Sequence, residues 1–577
     1  MNGNMIRETR IPQNKNQKRR NIIRPAAAIV VMAILLFSLF WLIKYILVSY
    51  DVLITDAVIH NGMKNASPFI GTVAIKGDKI DKVWRGSPWL IEPKATKVIN
   101  ARGLVLSPGF IDAHSHADEG ISNKSGPVRA DNFISQGITT VVAGNCGRSP
   151  VDINTFARNV NSQGINVNIA SLLGFNSIRD KVMKDINKPA NAIQIEEMCV
   201  LAQKGMEDGA LGISTGLAYP PGNYASQDEL VAVLKVASGY GGLHATHMRN
   251  EGEKIEKALN EVIEISRYAN IPLLVSHFKI TGSENCGFYD KLLETMKIAK
   301  SEGIQIHVDQ YPYDASSTNL NAFLPDWYLA MSSKTKLRNL RSSTERGKIK
   351  KDIREIIMRE GLSDLKFATV SFYLPHPEWQ GKNIEQIVTI NKKTSRSVLD
   401  KYIDVILEME SHGGAELIYH NTCLDVMKRI PLDFENMVST DSAIRYNERK
   451  NSPFPHPRGW GSFPRFIKFF VIENRIISLD TAIYRMTSLP AEVFGLKKRG
   501  AIEKGYFGDL VLFDLKDIED KATYESPFLP PRGIIYVIVN GKIVVNNSEN
   551  IRSEAVNVES GIQDNYPGKF ISMKKDR

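Results

Sequence analysis

The chain is 577 residues long and 43% hydrophobic, enough to bury a large core and to hold two or three domains. Basic residues exceed acidic ones by ten, but the excess is local. Arg7, Arg10, Lys15, Lys18, Arg19, Arg20 and Arg24 precede the first apolar run, and Lys569, Lys574, Lys575 and Arg577 close the chain. No basic helix is interleaved with aromatic residues and no zinc-finger spacing occurs, which argues against nucleic acid as a partner. Four widely spaced cysteines do not form a disulfide framework; Cys199, Cys286 and Cys423 are expected as structural or free thiols.

Residues 1–25 are expected as a basic cytoplasmic tail. From Ala26 to Ile43 the sequence is apolar apart from Ser38, and the run continues past Lys44 to Val48. At ~1.5 Å of rise per residue, roughly 20 helical residues cross a ~30 Å hydrocarbon layer. Residues 26–48 are therefore predicted as a transmembrane helix. Positive charge before the span keeps the N-terminus inside and sends the rest of the chain out of the cytoplasm. A cleaved leader would carry an apolar core of ~7–15 residues and a small-x-small cleavage site. The stretch Leu39-Phe40-Trp41-Leu42-Ile43-Lys44-Tyr45 offers no such site, so an uncleaved, single-pass anchor in the cell membrane is expected.

Beyond the anchor, YDVLITDAVIHNG and GTVAIKGDKIDKVW alternate as antiparallel strands, turning at Asn61-Gly62 and Gly77-Asp78. AIEKGYFGDLVLFDL and IIYVIVNGKIVV have the same texture, with Asn540-Gly541 as a hairpin turn. Residues 50–105 and 490–550 are expected to pack as one small β-sandwich built from both termini, leaving 551–577 as a C-terminal tail. Between them, strand-like runs at 104–111, 139–144, 168–173, 209–214, 242–246, 272–276 and 305–309 alternate with helical stretches such as Ile255–Ala269 and Tyr289–Ser301. That alternation predicts an α/β fold over 106–489, a parallel sheet closed into a (β/α)8 barrel of the TIM type. Runs at 415–420 and 436–440 both look like strands, one more than eight. The run ending in Asp441 completes the eight, and the other has no place among them. Residues from about 323 to about 413, less periodic and rich in Lys, Arg and Ser, are expected as an inserted subdomain.

Coordinating side chains gather where these strands end. In SPGFIDAHSHAD, Asp112, His114 and His116 share one parity and Asp118 lies beyond; residues two apart on an extended strand face the same way. Cys146 follows the second run, His247 and His277 follow the fifth and sixth, and Asp441 ends NMVSTD. Taken singly, Cys146 reads as a small buried hydrophobe, each histidine as a hydrogen-bonded strand end, and Asp441 as a helix cap. Together they supply thiolate, imidazole and carboxylate, a set suited to Zn²⁺ with about three protein ligands and one open position. In a barrel such residues converge on the face that carries active sites.

The run PGFIDAHSHAD resembles the first-strand metal motif of the amidohydrolase superfamily. GNCG, GALGISTGLAYPPG, THMRNEGE, SHFK, DQYPYDASST and HPRGWGSFPR then resemble, in order, its N-acyl-D-amino-acid deacylase (D-aminoacylase) branch, from about Val52 to about Val545. The specific part is Cys146 combined with the later YPY; most of the superfamily uses a carboxylated lysine where this branch uses cysteine. The resemblance implies a zinc-dependent hydrolase that cleaves the amide bond of a small N-acyl-D-amino acid. It implies a tight Zn²⁺ site at Cys146, His247 and His277 and a second at His114 and His116. Asp441 would be the general base, taking a proton from water and returning it to the leaving amine. Tyr311 or Tyr313, which strand parity does not separate, would donate to the oxyanion, and Lys279 and Arg458 would hold the substrate carboxylate. Two other readings compete. Against a cyclic amidase of the dihydroorotase-like type stand the missing carboxylated lysine and the YPY segment. Against a non-catalytic binding protein on the same fold stands the complete ligand set. Two departures from the branch are visible. Phe175 stands where a histidine is usual in Gly-His-x-x-x-Arg, with Arg179 retained, and is expected to reshape the acyl pocket or alter the acceptable substrate. Thr440-Asp441-Ser442 replaces the commoner SDG and keeps the aspartate.

Overall fold

The structure, a computed structural model, describes residues 31–37, 49–86, 93–122, 126–359, 364–390, 397–445, 454–548 and 561–573. Eight parallel strands form a closed barrel: β1 (Phe110–Asp112), β2 (Ile138–Ala143), β3 (Asn168–Ser171 and, past a break, Leu173–Gly174), β4 (Gly212–Gly216), β5 (Leu243–His247), β6 (Leu273–Val275), β7 (Ile306–Gln310) and β8 (Met437–Val438). At the break in β3, the Leu172 N–H still donates to Ala143 O at 2.9 Å. Closure between β8 and β1 is made by Ala113 N to Val438 O, 3.2 Å, and Asp441 N to His114 O, 2.8 Å. Strands such as ITTVVA are buried along their whole length, as befits a parallel sheet covered by helices on its outer side.

Strands from both ends of the chain build one eight-stranded sheet. Its order is Lys542–Asn546, Ile534–Val539, Leu510–Phe513, Val105–Pro108, Ser49–Ile59, Phe69–Lys76 and Lys79–Arg85, with Lys94–Asn100 also paired to Ser49–Ile59. The two halves join where Leu106 faces Leu512. Asn540 and Gly541 take φ of 45° and 76°, the turn that suits a twisted hairpin. Asp509 ties this sheet to the barrel: it pairs with Arg499 and accepts from Asn540 N at 2.7 Å and Asn168 Nδ2 at 3.3 Å.

The surplus strand belongs to the insertion. Glu416–Tyr419 is the middle strand of a three-stranded antiparallel sheet between Ser316–Asn319 and Ala368–Phe372. That sheet shares an apolar core of its own with the helices Ser343–Arg359 and Val398–Ser411, including Leu320, Ile349, Val370, Ile403 and Leu417. The insertion thus extends beyond the expected 323–413, because the edge strand SSTN carries no apolar alternation. Cys286 and Cys423, expected as structural or free thiols, instead form a disulfide across 137 residues of sequence, while Cys199 is free. A single distant pair leaves no spacing signature. Residues 561–573, expected within a loose tail, run along the barrel instead: Pro567 bridges Ile165, Phe570 bridges Ile169, and Met573 N donates to Gly209 O at 3.1 Å.

Among the described residues no helix is long and apolar enough to cross a membrane. Most of the anticipated span (26–30 and 38–48), the basic tail and residues 549–560 and 574–577 lie outside the described residues. Residues 31–37 are helical, and Val31, Met32, Ile34, Leu35, Leu36 and Phe37 are each more than half exposed.

Phe175 and Arg179 lie on the helix Phe175–Val182 after β3. Phe175 is fully buried in the apolar cluster that contains Ile178, Met198 and Leu217, a place in the packed core. Arg179 is fully buried as well. Its guanidinium donates to Glu229 Oε2 at 2.9 Å, to Ile186 O at 2.6 Å and to Lys188 O at 2.5 Å. Arg179→Ala would leave the Glu229 carboxylate buried without its counter-charge. A loss of about 3–5 kcal/mol of folding stability is expected, measurable by urea denaturation.

Candidate active site

Cys146, His277 and Asp441 follow the ends of β2, β6 and β8, and all three take left-handed backbone conformations, φ 51°, 37° and 47°. Such geometry costs a non-glycine residue about 1–3 kcal/mol and concentrates at functional sites. Here it turns each side chain off its strand toward the barrel mouth. Gly147 follows Cys146 at φ 77°, where a Cβ would stand 2.1 Å from Asn176 Oδ1, which explains the glycine in GNCG.

The side chains converge on the Cys146 sulfur. His114 Nε2 lies 3.4 Å from Sγ, His277 Nε2 3.6 Å and His247 Nδ1 3.8 Å. Asp441 adjoins this group through Oδ1, 3.2 Å from His116 Nε2 and 3.5 Å from His114 Nε2. Its other oxygen, Oδ2, lies 2.9 Å from Arg458 Nη1. All five residues expected as metal ligands are therefore brought together. His114 stands between the sulfur and Asp441, belonging to one potential ligand trio with Cys146 and His277 and to another with His116 and Asp441.

Carboxylates fix the rings from behind. Asp309, at the end of β7, accepts from His277 N at 3.1 Å and Ser439 Oγ at 2.7 Å, with its second oxygen 3.6 Å from His114 Nδ1. Asp112 accepts from Thr440 N at 3.0 Å and Thr440 Oγ1 at 2.6 Å, a role for the threonine of TDS. Glu251 lies 3.1 Å from His277 Nδ1 and 2.7 Å from Lys279 Nζ. Tyr219 packs against His247 with its ring tilted, centroids 4.7 Å apart, and its hydroxyl is 3.2 Å from Thr318 Oγ1 of the insertion. Sequence reasoning missed Glu251, Asp309 and Tyr219. Asp309 ends an apolar strand just as the ligands do, and Glu251 stands four residues after His247, so both left a signal; Tyr219 left none.

Arg458 is buried and Lys279 only 12% exposed at its side chain, and they flank Tyr311. The Arg458 guanidinium carbon is 4.6 Å and Lys279 Nζ 5.9 Å from the Tyr311 ring centre. The Tyr311 hydroxyl is buried with no hydrogen-bond partner among the described residues. Tyr313 faces elsewhere: its hydroxyl donates to Asp520 Oδ2 at 3.4 Å, under Arg465. Strand parity fails because β7 ends at Gln310 and Tyr313 N turns back onto Tyr311 O at 3.0 Å.

The electrostatics favour a cation at the centre. Burial would raise the Cys146 thiol, yet the His114 charge and hydrogen bonds from the histidines hold it well below the ordinary thiol value. Burial alone would strip the proton from His114, but the Cys146 thiolate and Asp309 push it up to about 10. Burial also opposes ionisation of Asp441, and Arg458, His116 and His114 outweigh it, holding the carboxyl well below its usual range. Burial keeps the Tyr311 phenol protonated, above its ordinary value. A tetrahedral zinc with bonds of ~2.3 Å to sulfur and ~2.05 Å to nitrogen separates those atoms by about 3.6 Å. The three S···N distances at Cys146, 3.4 to 3.8 Å, bracket that value, so the donor set fits the ion.

A parallel barrel with sulfur, imidazole and carboxylate donors clustered beyond its strand ends is the architecture of a metal-dependent hydrolase. Residues 97–314 and 449–545 match the Amidohydrolase family. The chain is 31% identical over 515 residues to the D-aminoacylase of Alcaligenes xylosoxydans xylosoxydans, covering 85% of this chain and 94% of that protein. To the N-acyl-D-glutamate deacylase of the same organism it is 31% identical over 494 residues, 81% and 88% of the two chains. It superposes on the N-acyl-D-glutamate deacylase of Bordetella bronchiseptica, solved with zinc and a phosphonate mimic of the tetrahedral intermediate. There the TM-score is 0.73 at 28% identity, over 91% of this chain and 100% of that one. A D-aminoacylase with a binuclear metal centre gives a TM-score of 0.72 at 29% identity, over the same shares. The chain belongs to the amidohydrolase superfamily, in its D-aminoacylase branch.

Proposed function

We propose that this protein is a zinc-dependent deacylase of N-acyl-D-amino acids, cleaving the linear amide to a carboxylate and a free D-amino acid. The observation that carries this reading is the Cys146 sulfur within 3.4 to 3.8 Å of three imidazoles, with Asp441, Arg458 and Lys279 beside them. Zinc held by Cys146 with His247 and His277 would keep one coordination position open, and there it would polarise the scissile carbonyl and acidify a water. His116 and Asp441, with His114, offer a second metal position, and the similar D-aminoacylase has a binuclear metal centre. Asp441, ionised at neutral pH, takes a proton from the attacking water and delivers it to the departing amine nitrogen. Tyr311, protonated and otherwise unpartnered, donates to the oxyanion as the carbonyl carbon becomes tetrahedral. Lys279 and Arg458 bracket Tyr311 and receive the substrate carboxylate, which orients the amide over the metal ligands.

Hydrolysis of a panel of N-acetyl-D-amino acids, with their L-enantiomers and a cyclic hydantoin as controls, tests the reading. Activity confined to D-substrates is expected, and turnover of the hydantoin alone would contradict it. Asp441→Asn and Tyr311→Phe should each lower kcat by about 100-fold or more, whereas Tyr313→Phe should change it by no more than about threefold, since its hydroxyl is engaged with Asp520.

The catalytic domain is proposed to be anchored on the outer side of the cell membrane by residues 26–48. The basic run from Arg7 to Arg24 and the apolar segment after it support this. So does the Cys286–Cys423 disulfide, a bond that persists in oxidising compartments. Protease added to intact cells or spheroplasts should degrade the catalytic domain. Protection of that domain, or a mature N-terminus mapped beyond Val48, would contradict the anchor.

A further inference from the structure

Glu251 takes no part in the proposed mechanism, yet it lies against two of its parts with its side chain only 11% exposed. The turn after β5 sends it there. Arg249 is held outward by Glu261, at 2.9 Å through Nε and 2.8 Å through Nη2, and by Asn223 O at 2.6 Å. Asn250 Oδ1 accepts from Gly252 N and Lys254 N, both at 2.9 Å, starting the helix Ile255–Ala269. With both neighbours committed elsewhere, Glu251 turns inward, and its carbonyl accepts from Thr281 N at 2.8 Å. The β5 turn is thereby fastened to the loop after β6 that carries Lys279.

The His277 ring meets two competitors on its far side. Nδ1 lies 3.1 Å from Glu251 Oε1 and 2.9 Å from Lys279 Nζ. An ammonium has only protons to give and a carboxylate only lone pairs. If Lys279 donates to Nδ1, the neutral ring carries its own proton on Nε2, the nitrogen that faces the Cys146 sulfur at 3.6 Å, and that nitrogen cannot bind a metal. If Nδ1–H donates to Glu251, Nε2 is left with its lone pair free. The same carboxylate engages Lys279 through both oxygens, 2.8 Å and 2.7 Å from Nζ, and so competes with the ring for the protons of the ammonium.

We propose that Glu251 is a positioning residue that selects the metal-binding tautomer of His277 by arbitrating between that ring and Lys279. Metal retention is thereby coupled to the lysine that receives the substrate carboxylate. The second half rests on the deacylase reading; the first does not. Partners of this kind behind a ligating imidazole typically change metal affinity by about 10–100-fold.

The test uses the full-length protein, or its detergent-solubilised form, in wild-type, Glu251→Gln, Lys279→Met and double-variant versions. Zinc affinity is read by competition with a chromophoric chelator, with no substrate present. Glu251→Gln should bind zinc at least about tenfold more weakly. Adding Lys279→Met should recover most of that loss, because the competing donor is gone; a merely structural role for Glu251 would not be rescued this way. Zinc affinity of Glu251→Gln within about twofold of wild type, or no recovery in the double variant, would overturn the proposal. Glu251→Asp, whose carboxylate is withdrawn by one methylene, carries the same reading if the glutamine variant does not fold. With zinc saturating, Glu251→Gln should raise KM for an N-acetyl-D-amino acid more than it lowers kcat. If no form hydrolyses that substrate, the deacylase reading fails while the zinc arm still decides the role of Glu251.

Discussion

A buried thiolate ringed by imidazoles is the interaction around which the site is arranged. The Cys146 thiol is held well below its ordinary value by His114, His116 and His247, and His114 is pushed up by the anions beside it. Such a cluster is stable when a positive charge occupies its centre, either protons or a metal ion. The left-handed backbone at Cys146, His277 and Asp441 shows the chain conforming to that requirement: three strands end in a costly conformation so that their side chains meet at one place.

Around the cluster, carboxylates back His114 and His277 and fix their orientation. Asp309 links β7, His277 and His114; Asp112 ties β1 to Thr440 after β8; Glu251 joins the β5 and β6 loops. The barrel matters to function through these links, since every carboxylate is delivered by a strand or turn other than that of the side chain it orients. The two cations proposed to receive the substrate carboxylate are placed the same way. Arg458 reaches the centre from the helix Arg458–Phe466, and Lys279 from the β6 loop, so the two cations flanking Tyr311 belong to distant parts of the sequence.

Much of this was legible in the sequence wherever an apolar run ended in a donor. That rule found the barrel strands and led to His114, His116, Cys146, His247, His277 and Asp441 without any side-chain geometry. It lost its power where the chain leaves regular structure. The two tyrosines of YPY looked equivalent because a strand alternates, but the strand stops at Gln310 and a tight turn sends Tyr313 toward Asp520. Glu416–Tyr419 had the texture of a barrel strand because the middle strand of any buried sheet is apolar; only its antiparallel partners show that it belongs to the insertion. The Cys286–Cys423 bond and the packing of residues 561–573 depend on contacts between remote segments, which no local pattern encodes.

X-ray absorption at the zinc edge of the purified, zinc-loaded protein tests the central claim most directly, because it reports the atoms bound to the metal. Coordination through Cys146 and its histidines predicts one sulfur at about 2.3 Å together with nitrogen or oxygen neighbours at about 2.0–2.1 Å. A shell of nitrogen and oxygen alone, with no sulfur scatterer, would contradict it.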